Sequence, residues 1–265
     1  MATAAQNPQL PLFYQALEPV NVTQHGKMKV RQVLKMGQIG TAHAIPVTVD
    51  EFALAQRHYP IVFSIGDQPI PIALMGLNEG VNVFLDADGR PLDPAVYIPA
   101  YIRRYPFMLA RLRPESDELS LCFDPTSEAV GDFAEGEPLF DGDQPSQATK
   151  SILQFCEQFE AAGQRTGAFV EELKTSDLLM DGEVAIQPTG FEQPFIYRGF
   201  RMVDEDKLRN LRGDELRKMN QNGMLALIFA HLFSLSQMRE VFGRQMQQGK
   251  APQAAPQFAA ADGLA

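Results

Sequence analysis

The sequence lacks the features that mark membrane-spanning, secreted and disulfide-rich proteins. No apolar run approaches the roughly 20 residues that a helix needs to cross a bilayer. The 265 residues include only two cysteines, Cys122 and Cys156, far apart and each within an apolar segment, which indicates reduced, buried thiols. The N-terminus, MATAAQNPQLPLF, has neither a basic region nor a continuous apolar stretch. We therefore expect no secretory signal peptide and a cytoplasmic location.

Motifs for metal binding, phosphate binding and nucleophilic catalysis are also missing. The four histidines show no H-x-D or H-E-x-x-H spacing, and there is no C-x-x-C, G-x-S-x-G, phosphate loop or dinucleotide fingerprint. We therefore predict no metal site and no cofactor. One alternative stays open: His43, His58 and Asp124 could converge from distant segments as a non-haem iron site, with Cys122 nearby. His231 lies on an apolar helical stripe, which predicts a hydrogen-bonded packing residue.

Basic residues are absent from one long segment, and this sets the charge of the protein. No Lys or Arg occurs from Pro114 to Thr149, whereas ten acidic residues do. These are Glu115, Asp117, Glu118, Asp124, Glu128, Asp132, Glu135, Glu137, Asp141 and Asp143. The other residues carry 23 basic and 23 acidic side chains, so the net charge of −10 comes from this segment. Such a protein repels nucleic-acid phosphates, and we expect no nucleic-acid partner.

Hydrophobic residues are present at 45%, enough for an ordinary core, and their periodicity changes along the chain. The first half holds short β-rich runs separated by Gly, Asp, Asn and Pro: HAIPVTV, IVFSI, IPIALMGL and VNVFL. The second half has mostly helical spacing. The pattern predicts an α+β fold, with an antiparallel or mixed β-sheet from the N-terminal half packed against helices from the C-terminal half.

Composition also predicts the domain boundaries. Residues 1–13 are small, polar and Pro-containing, which indicates a flexible lead-in. Residues 14–243 form a single predicted domain. Residues 244–265 are rich in Gln, Ala and Pro, and we expect a disordered tail there.

The segment YIPAYIRRYPFML, residues 97–109, is the strongest candidate for a binding site. Its prolines predict a short helix from Pro99 to Arg104 and a hairpin after Pro106. The three tyrosines are four positions apart and can share a helix face, where their hydroxyls and two guanidiniums can receive a carboxylate, a phosphate or an aromatic group. The candidate ligand-binding residues are Tyr97, Tyr101, Arg103, Arg104 and Tyr105. The alternative is structural: tyrosines fill a core edge, and the arginines neutralise the acidic segment.

An ordered set of motifs gives the chain a family resemblance. RHYPIVF, IALMGLNEGVNVFLDADG, YIPAYIRRYPFML, LCFD, GEPLFD, GFRMVDEDKL and LIFAHLFSL occur in this order. From about Tyr14 to Phe242 the chain resembles the SapC family of bacterial proteins, named after a surface-layer gene cluster. The peptide-transporter permease of the same name is a different protein. The resemblance implies genes near those of TonB-dependent receptors, and it implies no catalytic residues.

Together these observations predict a non-enzymatic binding or accessory protein of a bacterial envelope or nutrient-uptake system. Its partner would be a protein or small molecule that bears a carboxylate, a phosphate or an aromatic group. The alternative is an enzyme that modifies a peptide or small molecule, with a non-haem metal site as one possibility.

Overall fold

The computed structural model describes residues 10–31, 37–113, 117–188 and 193–250. Its antiparallel sheets and helices confirm the predicted α+β class. Within these ranges, no helix combines the length and the apolar character that crossing a membrane requires.

The strands are short. They are β1 (Glu18–Pro19), β2 (Lys29–Val30), β3 (Ala44–Pro46), β4 (Ile61–Phe63), β5 (Pro71–Leu74), β6 (Phe107–Arg111), β7 (Leu119–Phe123), β8 (Val130–Gly131), β9 (Glu137–Pro138), β10 (Phe140–Asp141), β11 (Gln144–Pro145), β12 (Leu179–Asp181), β13 (Val184–Ile186), β14 (Phe195–Tyr197) and β15 (Arg201–Val203).

The helices lie mostly in the second half. They are α1 (Val22–His25), α2 (Gly37–Gly40), α3 (Phe52–Ala55), α4 (Ala100–Arg104), α5 (Gln147–Thr175), α6 (Glu205–Arg209), α7 (Gly213–Gln221), α8 (Met224–Ser234) and α9 (Gln237–Gln247). A 3-10 turn, Val49–Glu51, leads into α3.

The backbone groups into two compact units where the sequence predicts one domain. The described part of the first unit is residues 10–31, 104–113 and 117–157. The described part of the second unit is residues 37–103, 158–188 and 193–250. Each unit is therefore assembled from separate stretches of the chain.

The first unit is built on the hairpin of β6 and β7. Alternating apolar residues set its register, with Leu109 opposite Leu121 and Met108 opposite Cys122. Strand β1 extends this sheet in the order β1-β7-β6, and a second sheet has the order β8-β2-β9. The core beneath contains Phe107, Leu109, Phe123, Ala129, Val130, Leu139 and Cys156. Both thiols are free and buried, as predicted.

The acidic segment belongs to this unit, and Asp124 differs from its other members. Eight of its carboxylate residues are exposed, and Glu115 lies outside the described residues. Asp124 is instead fully buried. Its Oδ2 accepts a hydrogen bond from the Gln15 amide at 2.7 Å, and its Oδ1 accepts from the Thr126 amide and hydroxyl at 2.9 and 2.7 Å. Asp124 therefore organises a turn.

The second unit contains a five-stranded antiparallel sheet in the order β12-β15-β4-β5-β3. Two of its strands come from the second half of the sequence, so the sheet is not built from the N-terminal half alone. Helix α8 packs against β4 and β15, as the predicted sheet-and-helix arrangement requires. The pairing of β15 with β4 has one residue pair, Arg201 with Phe63.

His231 on α8 reinforces this narrow pairing. Its Nδ1 lies 2.7 Å from the Ile61 carbonyl, and its Nε2 accepts a hydrogen bond from the Val203 amide at 3.0 Å. The neutral ring, with its proton on Nδ1, satisfies both contacts. Ser234, one turn later, accepts from the Ile61 amide at 2.8 Å. The prediction of a hydrogen-bonded packing role for His231 is confirmed.

Residues 81–85, VNVFL, do not form the predicted strand. The Asn82 side chain instead satisfies the backbone of this segment. Its Oδ1 accepts hydrogen bonds from the amides of Phe84 and Leu85 at 2.9 and 3.0 Å, and its Nδ2 donates to the Ala42 carbonyl at 2.8 Å. An asparagine that bonds locally offers the backbone an alternative to a strand ladder. Only an isolated bridge between Leu85 and Pro91 remains.

The structure describes part of both predicted terminal segments. In the lead-in, Phe13 is buried, and its ring packs edge-on against Tyr105 with centroids 6.4 Å apart. At the other end, α9 continues past residue 244 to Gln247, and Gln245 is fully buried. Burial and side-chain contacts therefore hold these residues in place, although the polar composition of their segments predicts flexibility. The rest of the predicted lead-in before residue 10 and of the tail after residue 250 lies outside the described residues.

Candidate functional site

The predicted helix in the tyrosine segment is present as α4, and its start is held by Glu51. This buried carboxylate ends the 3-10 turn before α3, where it accepts hydrogen bonds from the amide and hydroxyl of Thr48, both at 2.9 Å. Its other oxygen accepts from the Ala100 amide at 2.6 Å and from the Tyr97 hydroxyl at 2.9 Å. One carboxylate therefore caps the starts of two helices.

Tyr97 and Arg103, both in the second unit, are brought together. Arg103 is exposed, and its Nη2 donates to the Tyr97 hydroxyl at 3.1 Å while its Nε donates to the Ile98 carbonyl at 3.0 Å. Burial, followed by the charge of Glu51, raises the pKa of Tyr97 to about 12, so its hydroxyl remains a donor. An accessible arginine beside a tyrosine hydroxyl is what a ligand face requires.

Of the other three predicted residues, one is buried in the second unit and two belong to the first unit. Tyr101 is buried, with its ring centroid 6.2 Å from that of Phe159 in the second unit. Arg104 and Tyr105 belong to the first unit. The buried Arg104 guanidinium lies 5.8 Å from the ring centroid of Tyr14, and Tyr105 packs edge-on against the same ring at 5.2 Å. Tyr101 is therefore part of the core of its own unit rather than of an exposed surface.

A cleft of about 480 Å³ in the second unit brings several basic side chains together. It lies between the turn after α3, the loop after β5 and the start of α9. Its lining residues are Arg57, His58, Phe84, Ser236, Gln237, Arg239, Glu240 and Arg244. Three arginines and one histidine thus face a single acidic side chain, in a protein whose net charge is −10. We call this the basic cleft.

Two of its arginines are available to a ligand. Arg57 and Arg239 are exposed, and neither side chain has a hydrogen-bond or ion-pair partner within the part of the chain that the structure describes. Arg244 differs, because its Nε donates to Glu240 Oε1 at 3.1 Å and its guanidinium lies 5.0 Å from the Phe84 ring centroid. The lone acidic residue is therefore already paired with Arg244.

Buried aromatic rings support the cleft and connect it to the tyrosine segment. Phe84 and Tyr59 are buried and pack edge-on with centroids 4.7 Å apart. The Tyr59 hydroxyl donates to the Tyr97 carbonyl at 2.5 Å. Burial raises the pKa of Tyr59, which keeps this hydroxyl protonated. The predicted Tyr97–Arg103 pair and the basic cleft therefore rest on the same aromatic pair.

His58 is half-buried at the edge of the cleft. Burial and then the nearby Arg57 lower its pKa from the ordinary value, Asp93 opposes them, and Arg244 lowers it further. His58 is therefore neutral at pH 7 and offers one donor and one acceptor. The Ser236 hydroxyl donates to the Phe233 carbonyl at 2.7 Å. This arrangement can bind an anion, because guanidinium forks match the planar geometry of carboxylates and the oxygens of phosphates.

The residues of the alternative non-haem iron site, His43, His58, Asp124 and Cys122, lie in different parts of the chain and have different contacts. No group of three or more His, Cys, Asp or Glu side chains within residues 10–31, 37–113, 117–188 and 193–250 is placed to hold a metal ion. His43 immediately precedes β3, where burial lowers its pKa, and Asp124 holds its turn in the first unit. The buried thiol of Cys122 lies 3.6 Å from the Ser120 carbonyl, and burial raises its pKa.

Sequence reasoning missed the basic cleft because its residues come from segments far apart in the chain. A weak signal does exist. Neither Arg57 nor Arg239 has an acidic residue three or four positions away, where a helical partner would stand. That pattern marks an arginine without a local ion pair, but it cannot indicate that two such arginines meet.

Comparisons with known proteins place the chain in a family. No curated protein matches it, and no solved structure does. A family model described as SapC matches residues 20–241, which is most of the chain and includes every residue of the basic cleft except Arg244. The chain therefore belongs to the SapC family.

Proposed function

We propose that this protein is a non-enzymatic binding protein whose ligand carries a carboxylate or phosphate group, held in the basic cleft. The observation that carries the proposal is the pair of exposed arginines, Arg57 and Arg239, beside a cleft whose only acidic residue, Glu240, is paired with Arg244. Like charges that gather without a counter-charge repel one another, and an anionic ligand relieves that repulsion. The association with a bacterial envelope or nutrient-uptake system belongs to the same proposal and is supported by the family resemblance.

The Tyr97–Arg103 pair is the part of the predicted binding face that this proposal retains. Its guanidinium is exposed and its tyrosine hydroxyl is 3.1 Å away. The Tyr97 carbonyl accepts from Tyr59, which packs on Phe84 of the cleft. We propose that Tyr97 and Arg103 contact an outlying part of the same ligand, while Tyr101, Arg104 and Tyr105 support the fold.

The test measures anion binding to the full chain by titration calorimetry, with inorganic phosphate and succinate as probes. Arg57→Gln and Arg239→Gln should each weaken binding about tenfold, because a charge-assisted contact contributes about 1.4 kcal/mol. Neither side chain has a partner to lose within the described residues, so both variants should melt like the parent protein. Raising the salt concentration should also weaken binding, since the cleft is exposed.

Arg217→Gln is the matched control. Arg217 lies on α7, is exposed, and has no ion-pair partner among the residues described, but it does not line the cleft. Its removal should leave the affinity for both anions unchanged. The proposal is wrong if the double variant of Arg57 and Arg239 binds as well as the parent, or if the Arg217 variant loses affinity equally.

A further inference from the structure

Two exposed phenylalanines on α8 form an apolar patch in the second unit. Phe229 and Phe233 are 40% and 67% exposed, and Phe233 is the most exposed large apolar side chain among the described residues. Their rings stack with centroids 5.7 Å apart and an angle of 22° between the planes. Because large aromatic rings contribute strongly to interfaces when they become buried, such a pair is typical of a docking surface. We call it the phenylalanine pair.

The phenylalanine pair is continuous with the basic cleft. Between α8 and α9 the backbone at Leu235 and Ser236 stays in the right-handed helical region, and the Ser236 amide donates to the Phe233 carbonyl at 3.3 Å. Positions three and four apart on a helix lie on one side. Ser236 and Gln237, which line the cleft, therefore follow Phe233 on the same side of the chain.

We propose that the phenylalanine pair and the basic cleft together dock an acidic peptide segment of a partner protein. An aromatic or large aliphatic side chain of that segment packs on Phe229 and Phe233, and its carboxylates contact Arg57 and Arg239. This inference rests on the proposed function and narrows the ligand class. Charge complementarity supports it. The acidic side chains of such a segment match the cationic cleft, and an apolar side chain of the same segment can cover the adjoining phenylalanine pair.

The spacing of the two features favours a peptide over a small anion. Phe233 lies in the last turn of α8 and Arg239 in the first turn of α9, and six residues of helical or turn backbone rise by about 9 Å. An extended peptide covers that distance in about three residues. The apolar side chain and the nearest carboxylate should therefore be about three residues apart. Phosphate or succinate can occupy the cleft but cannot also cover the phenylalanine pair.

Two other occupants agree less well with the charge distribution. An anionic membrane surface could accept aromatic and basic side chains, but the net charge of −10 repels it. A second copy of the chain could insert its acidic segment, but two copies that each carry a net charge of −10 repel one another. The experiment described next distinguishes both of these occupants from an acidic peptide.

The probe is a fluorescein-labelled eight-residue peptide with two adjacent aspartates and a phenylalanine three residues after them. Fluorescence anisotropy with the full chain should show saturable binding. Phe233→Ser should weaken it at least fivefold, Arg239→Gln about tenfold, and a probe with alanine for phenylalanine at least fivefold. Phe233→Ser should leave phosphate binding unchanged, since Phe233 does not line the cleft.

Leu112→Ser is the matched control, because Leu112 is 51% exposed and lies in the first unit. It should not change peptide affinity. If the peptide fails to bind while phosphate binding still depends on Arg57 and Arg239, this inference is overturned and the proposed function stands. If phosphate binding shows no such dependence, both fail. The inference is also overturned if Phe233→Ser abolishes self-association in sedimentation velocity, or binding to phosphatidylserine vesicles, without affecting the peptide.

Discussion

At the scale of single residues, His231 shows how burial determines protonation. The ring is completely buried in the second unit, against Phe63 with centroids 5.0 Å apart. Burial lowers the pKa of His231 to about 4, and the hydrogen bond to the Ile61 carbonyl only partly opposes this. Both ring nitrogens already have backbone partners, so a second proton would break the contact with the Val203 amide.

The pKa of His231 predicts a loss of stability in mild acid. Its folded-state pKa lies below the unfolded value of about 6.5, so the unfolded chain binds the proton first as the pH falls. The contribution to the free energy of unfolding is intact above pH 6.5, decreases below it, and levels off near pH 4. Between pH 7 and pH 5 the loss should be about 2 kcal/mol. Urea unfolding at several pH values measures it.

His231→Gln is the comparison that isolates this residue. The variant should be less stable at pH 7, because two backbone groups lose well-placed partners. Its stability should fall less steeply than that of the parent between pH 7 and pH 5, because only the parent has the buried imidazole. Equal slopes in parent and variant would show that His231 does not cause the effect.

At the scale of elements, α4 carries two adjacent arginines with opposite surroundings. Arg103 is exposed and bonded to Tyr97 and Ile98, whereas Arg104 is buried beside the Tyr14 ring. Lysine preserves the charge but loses the planar guanidinium. Arg104→Lys should lower the free energy of unfolding by about 1–3 kcal/mol, and Arg103→Lys should change it by about 0.5 kcal/mol or less.

A thermal melt of each lysine variant measures this contrast, and anion titration adds a second readout. Arg103→Lys should bind succinate more weakly at unchanged stability if Tyr97 and Arg103 contact the ligand. Arg104→Lys should bind normally at a temperature where it is folded. A destabilised Arg103→Lys with normal affinity would instead assign Arg103 to the structure alone.

Local sequence patterns predicted those elements whose structure is determined by interactions between residues close together in the chain. The alternating apolar residues of FMLARL and LSLCF predict the β6–β7 hairpin, and prolines predict the limits of α4. The prediction of a strand at VNVFL was wrong, because the Asn82 side chain accepts the backbone hydrogen bonds that a neighbouring strand would otherwise accept. The pairing of β15 with β4 and the meeting of Arg57 with Arg239 in one cleft depend on long-range packing, which no spacing in the sequence encodes. Of the proposed binding residues, the sequence therefore indicated only Tyr97 and Arg103, and their role stays a prediction.

At the scale of the whole molecule, the last described residues belong to the second unit despite their polar composition. Gln245 accepts a hydrogen bond from the Leu77 amide at 3.1 Å and donates to Asn78 Oδ1 at 2.6 Å. Gln248 and Lys250 donate to the carbonyls of Val83 and Asn82 at 2.9 and 2.7 Å. These contacts hold the loop that contributes Phe84 to the basic cleft.

Two truncations test the role of residues 244–250. Removing residues 244–265 should lower the free energy of unfolding by about 2–4 kcal/mol, since it deletes Gln245 and leaves buried amide groups unpaired. Removing residues 251–265 should have little effect, because their Gln-, Ala- and Pro-rich composition predicts disorder. Chemical denaturation of both chains measures the difference. Equal stabilities would contradict the assigned role of residues 244–250.

The narrow pairing of β15 with β4 has a consequence for synthesis on the ribosome. These strands are separated by about half of the chain, so β3, β4 and β5 emerge long before β15 and α8 are translated. During that interval the nascent chain carries an open strand edge at β4, and such an edge can pair with other chains. Completion of this sheet is therefore a late event. The edge of β4 is therefore open to unwanted pairing until β15 and the α8 residues His231 and Ser234 have been synthesised.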